Sequence, residues 1–226
     1  MNAHIPHPDT TRFDLRIVAS WIQPGASVLD LGCGNGDLLY YLKKEKKVCG
    51  TGIEISESKV ARCIERGLTV LQGDFLEEVH DYPDQRFDFV ILSQTLQQVM
   101  DPRELITELL RVGKQVIVSF PNFGHWMIRL QVLFSGRAPV TDQLPYEWYD
   151  TPNIRVITIK DFKRFLRMAG VRLVREVAIN THHHDREGHI VRYLTNLRAT
   201  YGIMMLERSS KPGETDGKNE KTEKHD

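Results

Sequence analysis

Three glycines at alternate positions directly follow a short apolar run that contains a carboxylate. The run is Val28–Leu31 and the carboxylate is Asp30. The glycines are Gly32, Gly34 and Gly36. Because glycine has no Cβ, a chain with this spacing turns tightly and lets a ligand approach its backbone. A helix predicted from about Asp37 to Lys44 would aim its free N–H groups at the same ligand, so we predict a buried strand that leads into a nucleoside-binding loop.

Acidic residues in and around this loop indicate which nucleoside it binds. A dinucleotide-binding fingerprint would place a glycine where Asp37 stands, and a carboxylate there disfavours a pyrophosphate. Asp30 would also repel a phosphate, but it suits an ammonium group such as that of S-adenosylmethionine. With Cys33 and Asn35 between the glycines, the segment resembles motif I of the class I methyltransferases. The alternative is a glycine-rich turn that binds nothing.

Two more carboxylates follow short apolar, β-branched runs further along the chain. Glu54 stands about twenty residues after the glycine loop, where an acid accepts both ribose hydroxyls. Asp74 ends the next run and is suited to accept a hydrogen bond from the adenine amino group. Ile55 and Phe75 would then flank the adenine ring. The alternatives are a helix-terminal charge for Glu54, a core position for Ile55 and a helix cap for Asp74.

Strand and helix patterns alternate five times from the first glycine loop to about residue 120. The fourth and fifth predicted strands are Phe87–Ser93 and Gln115–Phe120, and an amphipathic helix over Thr10–Ile22 precedes the first. Two more strands are predicted near residues 171–179 and 200–207. We therefore predict an α/β fold, a Rossmann-like class I methyltransferase fold. Its seven-stranded, mostly parallel sheet has helices on both faces, an antiparallel last strand and an insert after the fifth strand.

The last predicted helix has a clear start and end. Thr158 and Asp161 match a capping box, and Gly170 follows the helix. Its predicted apolar face consists of Phe162, Phe165, Leu166 and Met168. The whole chain is predicted to form one domain over residues 1–208 with an insert at about 121–157, followed by a disordered tail over 209–226.

Composition excludes several classes of protein. Thirty basic and thirty acidic residues give no net charge, which disfavours a nucleic-acid partner. No apolar run is long enough to cross a membrane, and the first residues do not resemble a secretory signal, so the expected compartment is the cytoplasm. The three cysteines fit reduced thiols, with Cys49 and Cys63 in the core and Cys33 as a small loop residue.

The sequence offers no clear general base. Gln94, Gln97 and Gln98 follow the fourth strand, where many small-molecule methyltransferases carry a histidine, and glutamine takes no proton at neutral pH. The catalytic residues therefore remain unknown. The densest cluster of potential metal ligands consists of His182, His183, His184 and His189. Consecutive loop histidines are usually solvated, so no metal site is predicted. His125 is assigned to packing or hydrogen bonding.

The segment after the fifth strand carries the most specific resemblance. It reads Ser119-Phe120-Pro121-Asn122-Phe123-Gly124-His125-Trp126, then Arg129, Gly136-Arg137-Ala138-Pro139-Val140-Thr141, Leu144-Pro145-Tyr146-Glu147-Trp148-Tyr149-Asp150-Thr151-Pro152-Asn153-Ile154 and Thr158-Ile159-Lys160-Asp161-Phe162. This segment resembles the methionine-biosynthesis family MetW, and the resemblance runs from about Phe13 to Glu207. It includes Ser93-Gln94-Thr95-Leu96-Gln97. Ala138 and Arg155 depart from the family pattern, which has Met and His there.

The resemblance implies a partner. MetW proteins act with a MetX-type homoserine O-acyltransferase, which carries out the acyl chemistry, and their pocket would bind S-adenosylmethionine or S-adenosylhomocysteine. The predicted cofactor-binding residues are Asp30, Gly32, Cys33, Gly34, Asn35, Gly36, Glu54, Ile55, Asp74, Phe75 and Ser93. The alternative function is a stand-alone small-molecule methyltransferase. A nucleic-acid methyltransferase is disfavoured by the neutral charge.

Aromatic residues are concentrated in the predicted insert. Trp126, Tyr146, Trp148 and Tyr149 would form either a partner surface or a folded cap with buried rings. The cap is favoured, with only part of it exposed.

Overall fold

The computed structural model describes residues 12–142, 144–181 and 187–209. Within these ranges the chain forms eight strands, eight α-helices and two short 3₁₀ turns. The strands are β1 Ser27–Leu31, β2 Cys49–Glu54, β3 Thr69–Gln72, β4 Phe87–Ser93, β5 Gly113–Pro121, β6 Val171–Asn180, β7 His189–Ile190 and β8 Tyr201–Arg208. The helices are α1 Phe13–Trp21, α2 Asp37–Lys46, α3 Glu57–Glu65, α4 Phe75–Glu78, α5 Pro102–Val112, α6 Trp126–Ser135, α7 Ile159–Ala169 and α8 Thr195–Arg198.

All eight strands belong to one sheet, in the order β3-β2-β1-β4-β5-β8-β6-β7. The first five strands pair in parallel, whereas β8 is antiparallel to both β5 and β6. This confirms the predicted mostly parallel sheet with an antiparallel last strand. The sheet has one strand more than the seven predicted. The additional strand is the two-residue β7, in which Ile190 pairs with Ile179 at the sheet edge. A strand this short has no periodicity that a sequence pattern can detect.

Helices cover both faces of the sheet, and each face has its own apolar core. Leu15 and Val18 of α1 and Leu42 of α2 pack on one face. Leu109 of α5 and Phe162 of α7 pack on the other, where the Phe162 ring lies 4.8 Å from that of Phe120. The central strands are buried on both sides, as expected for parallel strands between two helical layers.

Helix α7 begins where the capping box predicts. The Asp161 backbone N–H donates to Thr158 Oγ1 over 3.0 Å, and the helix ends at Gly170 in the left-handed conformation. Met168, however, is 66% exposed, so its predicted place on the buried face is wrong. Met168 comes two residues after the buried Leu166, which rotates its side chain by about 200° around the helix.

One buried amide fixes both ends of the segment between β5 and α7. Asn122 Nδ2 donates to the carbonyl oxygens of Asn196 and Ala199 over 3.1 and 2.8 Å. Its Oδ1 accepts from the backbone N–H groups of Gly124 and Ile159 over 3.0 and 3.2 Å. The side chain thus uses both donors and both acceptor sites, and it anchors the two ends of the segment that carries α6.

Several expectations for exposed and buried residues need correction. Cys63 is buried as predicted, but Cys49 is exposed because it begins β2 at the edge of the helical layer. The predicted cap with buried rings is also wrong. The four aromatic side chains singled out in the insert are all exposed, namely Trp126, Tyr146, Trp148 and Tyr149. Trp148 and Tyr149 pack edge to face with centroids 5.7 Å apart, and the Trp126 ring lies 5.8 Å from that of His125.

Some expectations fall on residues outside the described ranges. These are the start of the first helix before residue 12, the histidines at 182–184 and the predicted tail from residue 210 onwards. In the part of the chain that the structure describes, no helix is both long and apolar enough to cross a bilayer.

Candidate cofactor site at the carboxyl ends of the strands

The glycine loop after β1 folds over the end of β2. The backbone N–H groups of Gly32 and Cys33 both donate to the Ile53 carbonyl, over 2.9 and 3.1 Å, and Gly36 donates to the Cys33 carbonyl over 2.9 Å. All three glycines have positive φ, at +69° for Gly32, +58° for Gly34 and +73° for Gly36. Side chains with a Cβ adopt this region at a cost, so the loop depends on glycine in the way the sequence predicts.

Gly36 and Gly34 need glycine for different reasons. A Cβ on Gly36 would lie 2.4 Å from Leu68 Cδ1 and 2.9 Å from Cys63 Sγ, so this glycine lets α2 pack against its neighbours. A Cβ on Gly34 would meet nothing within 4 Å. The space beside Gly34 is therefore open, and a ligand has room to approach the backbone there.

The substitution Gly34→Ala is therefore expected to weaken S-adenosylmethionine binding by about tenfold or more, because its methyl group would occupy that space. Gly25→Ala is the matched control, since Gly25 also has positive φ and open surroundings but precedes β1 at the other end of the sheet. Both variants should lose about 1 kcal/mol of unfolding free energy from backbone strain. Isothermal titration calorimetry separates the two effects, and equal affinity losses in both variants would argue against a ligand at Gly34.

Glu54 ends β2 with its carboxylate directed at the glycine loop. Its Oε2 accepts from the Gly34 backbone N–H over 2.9 Å, and its Oε1 accepts from Ser56 N–H over 3.0 Å. Lys59 Nζ lies 3.9 Å from the same carboxylate. The side chain is buried, so Glu54 both holds the loop and carries the negative charge nearest to Gly34.

Asp30 is a buried carboxylate beside this loop. It is 3% exposed, and none of the described residues donates a hydrogen bond to its carboxylate. Burial and the nearby charge of Glu54 raise its pKa to about 7, while the positive charge of Arg12 acts in the opposite direction. An unpaired buried carboxylate is unfavourable unless a cation neutralises it.

Three predicted adenine-site residues lie on the next stretch of the sheet edge. Asp74 caps α4, because its Oδ1 accepts from Leu76 N–H over 2.9 Å, as one of the alternatives expected. Phe75 is half-buried against the core. Ile55 is 69% exposed, so its alternative place in the core is wrong. An isoleucine side chain left in solvent beside Glu54 is free to cover the face of a planar ring.

Asn35 and Asp37 are held by arginines of α3 and its C-terminal end. Arg62 donates to Asn35 Oδ1 over 3.3 Å, and Arg66 donates to the Asn35 carbonyl and pairs with Asp37 Oδ1 over 2.8 Å. Arg66 also lies over the Tyr40 ring, 4.5 Å from its centroid. The Asp37 charge is thus partly neutralised, which weakens the sequence argument that it disfavours a pyrophosphate.

Ser93 joins the ends of β4 and β5. Its hydroxyl lies 3.0 Å from that of Ser119, and the Gln94 backbone N–H donates to the Ser119 carbonyl over 2.9 Å. Gln94 has a φ of +55° and its Nε2 donates to Asp14 Oδ2 over 2.7 Å. The Gln94 amide therefore orients the buried Asp14 carboxylate, and an amide does not accept a proton at neutral pH.

Arg12 and Asp14 lie near the site although no sequence pattern pointed to them. Arg12 pairs with the buried Asp14, and its charge also acts on Asp30, which places it next to the predicted cofactor residues. Burial lowers the pKa of the Arg12 guanidinium, but its bond to Asp14 outweighs this, so the pKa is raised and the charge is permanent. The available signal was a pair of opposite charges at the start of an amphipathic helix, which is usually read as a solvated helix end.

Two cysteines lie behind the loop. Cys63 Sγ donates to the Gly34 carbonyl over 3.3 Å, and burial raises the pKa of both the Cys33 and Cys63 thiols. Thiols with raised pKa values are poor nucleophiles, so Cys33 acts as a small packing residue at the site. Among the residues with described positions, no three histidine, cysteine or acidic side chains are grouped to hold a metal ion.

Comparison with known families identifies the chain. The family described as methionine biosynthesis protein MetW matches residues 12–206. The chain belongs to the MetW family. Membership places it in methionine biosynthesis and agrees with the resemblance carried by the segment after β5.

One MetW relative is part of a larger protein. The bifunctional methionine biosynthesis protein MetXA/MetW of Rhodopirellula baltica is 35% identical over 182 residues, which are 76% of this chain. The chain spans only 29% of the length of that relative. Phosphoethanolamine N-methyltransferase 1 of Arabidopsis thaliana is 30% identical, but over only 43% of this chain and 21% of its own.

Solved structures of SAM-dependent methyltransferases share this fold. One from Thermotoga maritima has a TM-score of 0.61 at 18% identity and covers 87% of both chains. Another from Archaeoglobus fulgidus has a TM-score of 0.61 at 19% identity and covers 86% of this chain and 91% of its own. At these identities the similarity establishes the class I methyltransferase fold of this MetW chain and no more.

Proposed function

We propose that this MetW chain is a cofactor-binding subunit that acts with a MetX-type homoserine O-acyltransferase in methionine biosynthesis. The observation that carries the proposal is the Rhodopirellula baltica relative, in which a MetXA part and a MetW part share one polypeptide. Two activities joined in one chain commonly serve the same step or pathway. The proposed compartment is the cytoplasm, as expected from the sequence.

S-adenosylmethionine or S-adenosylhomocysteine is the proposed ligand, and three features of the site fit it. Asp30 is a buried carboxylate in need of a cation, and the ligand's ammonium group supplies one. The open space at Gly34 admits the ligand next to Glu54, whose remaining lone pairs accept the ribose hydroxyls. Asp74, Ile55 and Phe75 surround the adenine in this arrangement. The backbone of Gly32–Gly36, including Cys33 and Asn35, and the Ser93 hydroxyl complete the proposed site.

Bound S-adenosylmethionine would supply an activated methyl group, but the described residues offer little to use it. Methyl transfer to a protonated nucleophile needs a base, and the amide of Gln94, which follows β4, donates to Asp14. His125, the buried histidine of the insert, accepts from Met127 N–H over 3.4 Å, and burial lowers its pKa. These roles favour sensing of the ligand over catalysis.

Homoserine acylation by the acyltransferase of the same organism tests the proposal. Succinyl-CoA and acetyl-CoA are supplied separately, with and without this chain and with and without S-adenosylmethionine. Stimulation by the chain is the expected result, and a further change on adding S-adenosylmethionine would make the pocket regulatory. An acyltransferase that is equally active and equally soluble alone would contradict the proposal.

The second candidate is a stand-alone small-molecule methyltransferase, favoured by the partial similarity to phosphoethanolamine N-methyltransferase 1. It predicts transfer of a labelled methyl group from S-adenosylmethionine to a component of a metabolite extract. Label that stays entirely on the cofactor would exclude it.

A further inference from the structure

Helix α6 carries an apolar face that the rest of the chain leaves exposed. Its exposed apolar residues on this face are Trp126, Met127, Leu130, Leu133 and Phe134. Leu133 and Phe134 are 73% and 81% exposed, whereas Ile128 is the one buried residue of the helix. Single exposed apolar residues are ordinary in proteins, but five on one side of a helix are not.

The spacing of these residues puts them on one side of the helix. At about 100° per residue, the five positions fall within an arc of about 120°, and Ile128 lies about 160° from its centre. We call this arc the outer face of α6. Helix α7, by contrast, turns Ile159, Phe162 and Leu166 into the core. The outer face therefore has the apolar composition of a buried helix surface, but α6 contacts the domain through Ile128 on its other side, where Val132 is 46% exposed.

Local hydrogen bonds fix both ends of α6. His125 caps the helix, Arg129 Nε donates to the Gly124 carbonyl over 2.7 Å, and Gly136 ends the helix in the left-handed conformation. Asn122 ties Gly124 to the start of α7 through Oδ1. A surface that is already ordered loses little conformational entropy when a partner binds it.

We propose that the outer face of α6 is the surface that docks on the homoserine O-acyltransferase; this inference rests on the proposed function. The face contains no charged side chain, and it is rich in tryptophan, methionine and phenylalanine, the composition of a desolvated interface core. An apolar helix face of this length fits a groove on a partner protein. The relative that joins a MetXA part to a MetW part favours the acyltransferase over a second copy of this chain as the occupant.

The test uses the full chain and the acyltransferase of the same organism. Leu133 and Phe134 are changed together to aspartate, and Met168→Asp is the matched control, since Met168 is similarly exposed on α7. We expect the double variant to lose about a hundredfold in acyltransferase affinity by biolayer interferometry, while S-adenosylmethionine affinity and melting temperature stay unchanged. The control should bind like the wild type.

The outcomes separate this inference from the proposed function. If the double variant binds the acyltransferase as tightly as the wild type, the surface is wrong and the proposed function stands. If the wild type itself fails to bind the acyltransferase, both are overturned. Sedimentation velocity of the chain alone tests whether a second copy occupies the face. If the wild type is a dimer, the double variant is a monomer and acyltransferase binding is unaffected, the face serves self-association and the inference is contradicted.

Discussion

Asp30→Asn is expected to raise the free energy of unfolding of the ligand-free chain by about 2–4 kcal/mol at pH 8. The Asp30 carboxyl is buried, and its pKa is raised from 3.8 to about 7 in the folded chain. Between about pH 4 and 7 the folded chain therefore holds a proton that the unfolded chain has released. Stability of the wild type falls as the pH rises through this window, whereas asparagine does not titrate.

Urea unfolding at pH 4 and pH 8 checks this prediction. The two proteins should differ little at pH 4, and the full gap should appear at pH 8. Asp81→Asn is the control, because Asp81 is exposed, and it should change the free energy of unfolding by no more than about 0.5 kcal/mol. A wild type as stable as the Asp30 variant at pH 8 would show that the buried charge is already compensated.

The same Asp30 variant should bind S-adenosylmethionine about tenfold more weakly, because a neutral amide gives less stabilisation to the ligand's ammonium group. Higher stability combined with weaker binding is the expected signature of a residue kept for function at the expense of stability. Calorimetry on the folded variant at pH 8 measures the affinity. Unchanged affinity would remove Asp30 from the site.

Glu54→Gln is expected to weaken S-adenosylmethionine binding by about a hundredfold. The carboxylate of Glu54 already accepts from the N–H groups of Gly34 and Ser56, over 2.9 and 3.0 Å. A glutamine amide would turn an NH₂ group toward one of these donors and would lose the charge that strengthens hydrogen bonds from the ribose hydroxyls. Hydrogen bonds to charged groups contribute about 1.5–3 kcal/mol each, so the loss of one or two corresponds to this factor.

Glu57→Gln provides the control for this measurement, since Glu57 is an exposed acid three residues further along on α3. Its affinity for S-adenosylmethionine should match the wild type. The Glu54 variant should also lose about 1–3 kcal/mol of unfolding free energy, from the unpaired N–H group at the loop. A variant that is destabilised but binds normally would limit Glu54 to holding the loop.

Local patterns were sufficient for most of the fold. The apolar runs that form β1, β2 and β4 and the capping box at Thr158 were recognisable because strand burial and helix caps depend on neighbouring residues. The placement of Glu54 and Asp74 at the same sheet edge also followed, since parallel strands bring their carboxyl ends together. Family membership was likewise encoded locally, in the residues after β5.

Tertiary structure decided the contacts and the burial that depend on residues far apart in the sequence. Asp14 and Gln94 are 80 residues apart, and their contact depends on how α1 lies across the sheet. The raised pKa of Asp30 depends on burial by several elements at once.

The sequence patterns predicted no helix at α6. Only the packing of Ile128 showed that the exposed apolar residues of this helix point away from the core. Periodicity along a chain reports that an element has two unlike faces. Which face meets the protein and which meets solvent or a partner is set by contacts between residues distant in sequence.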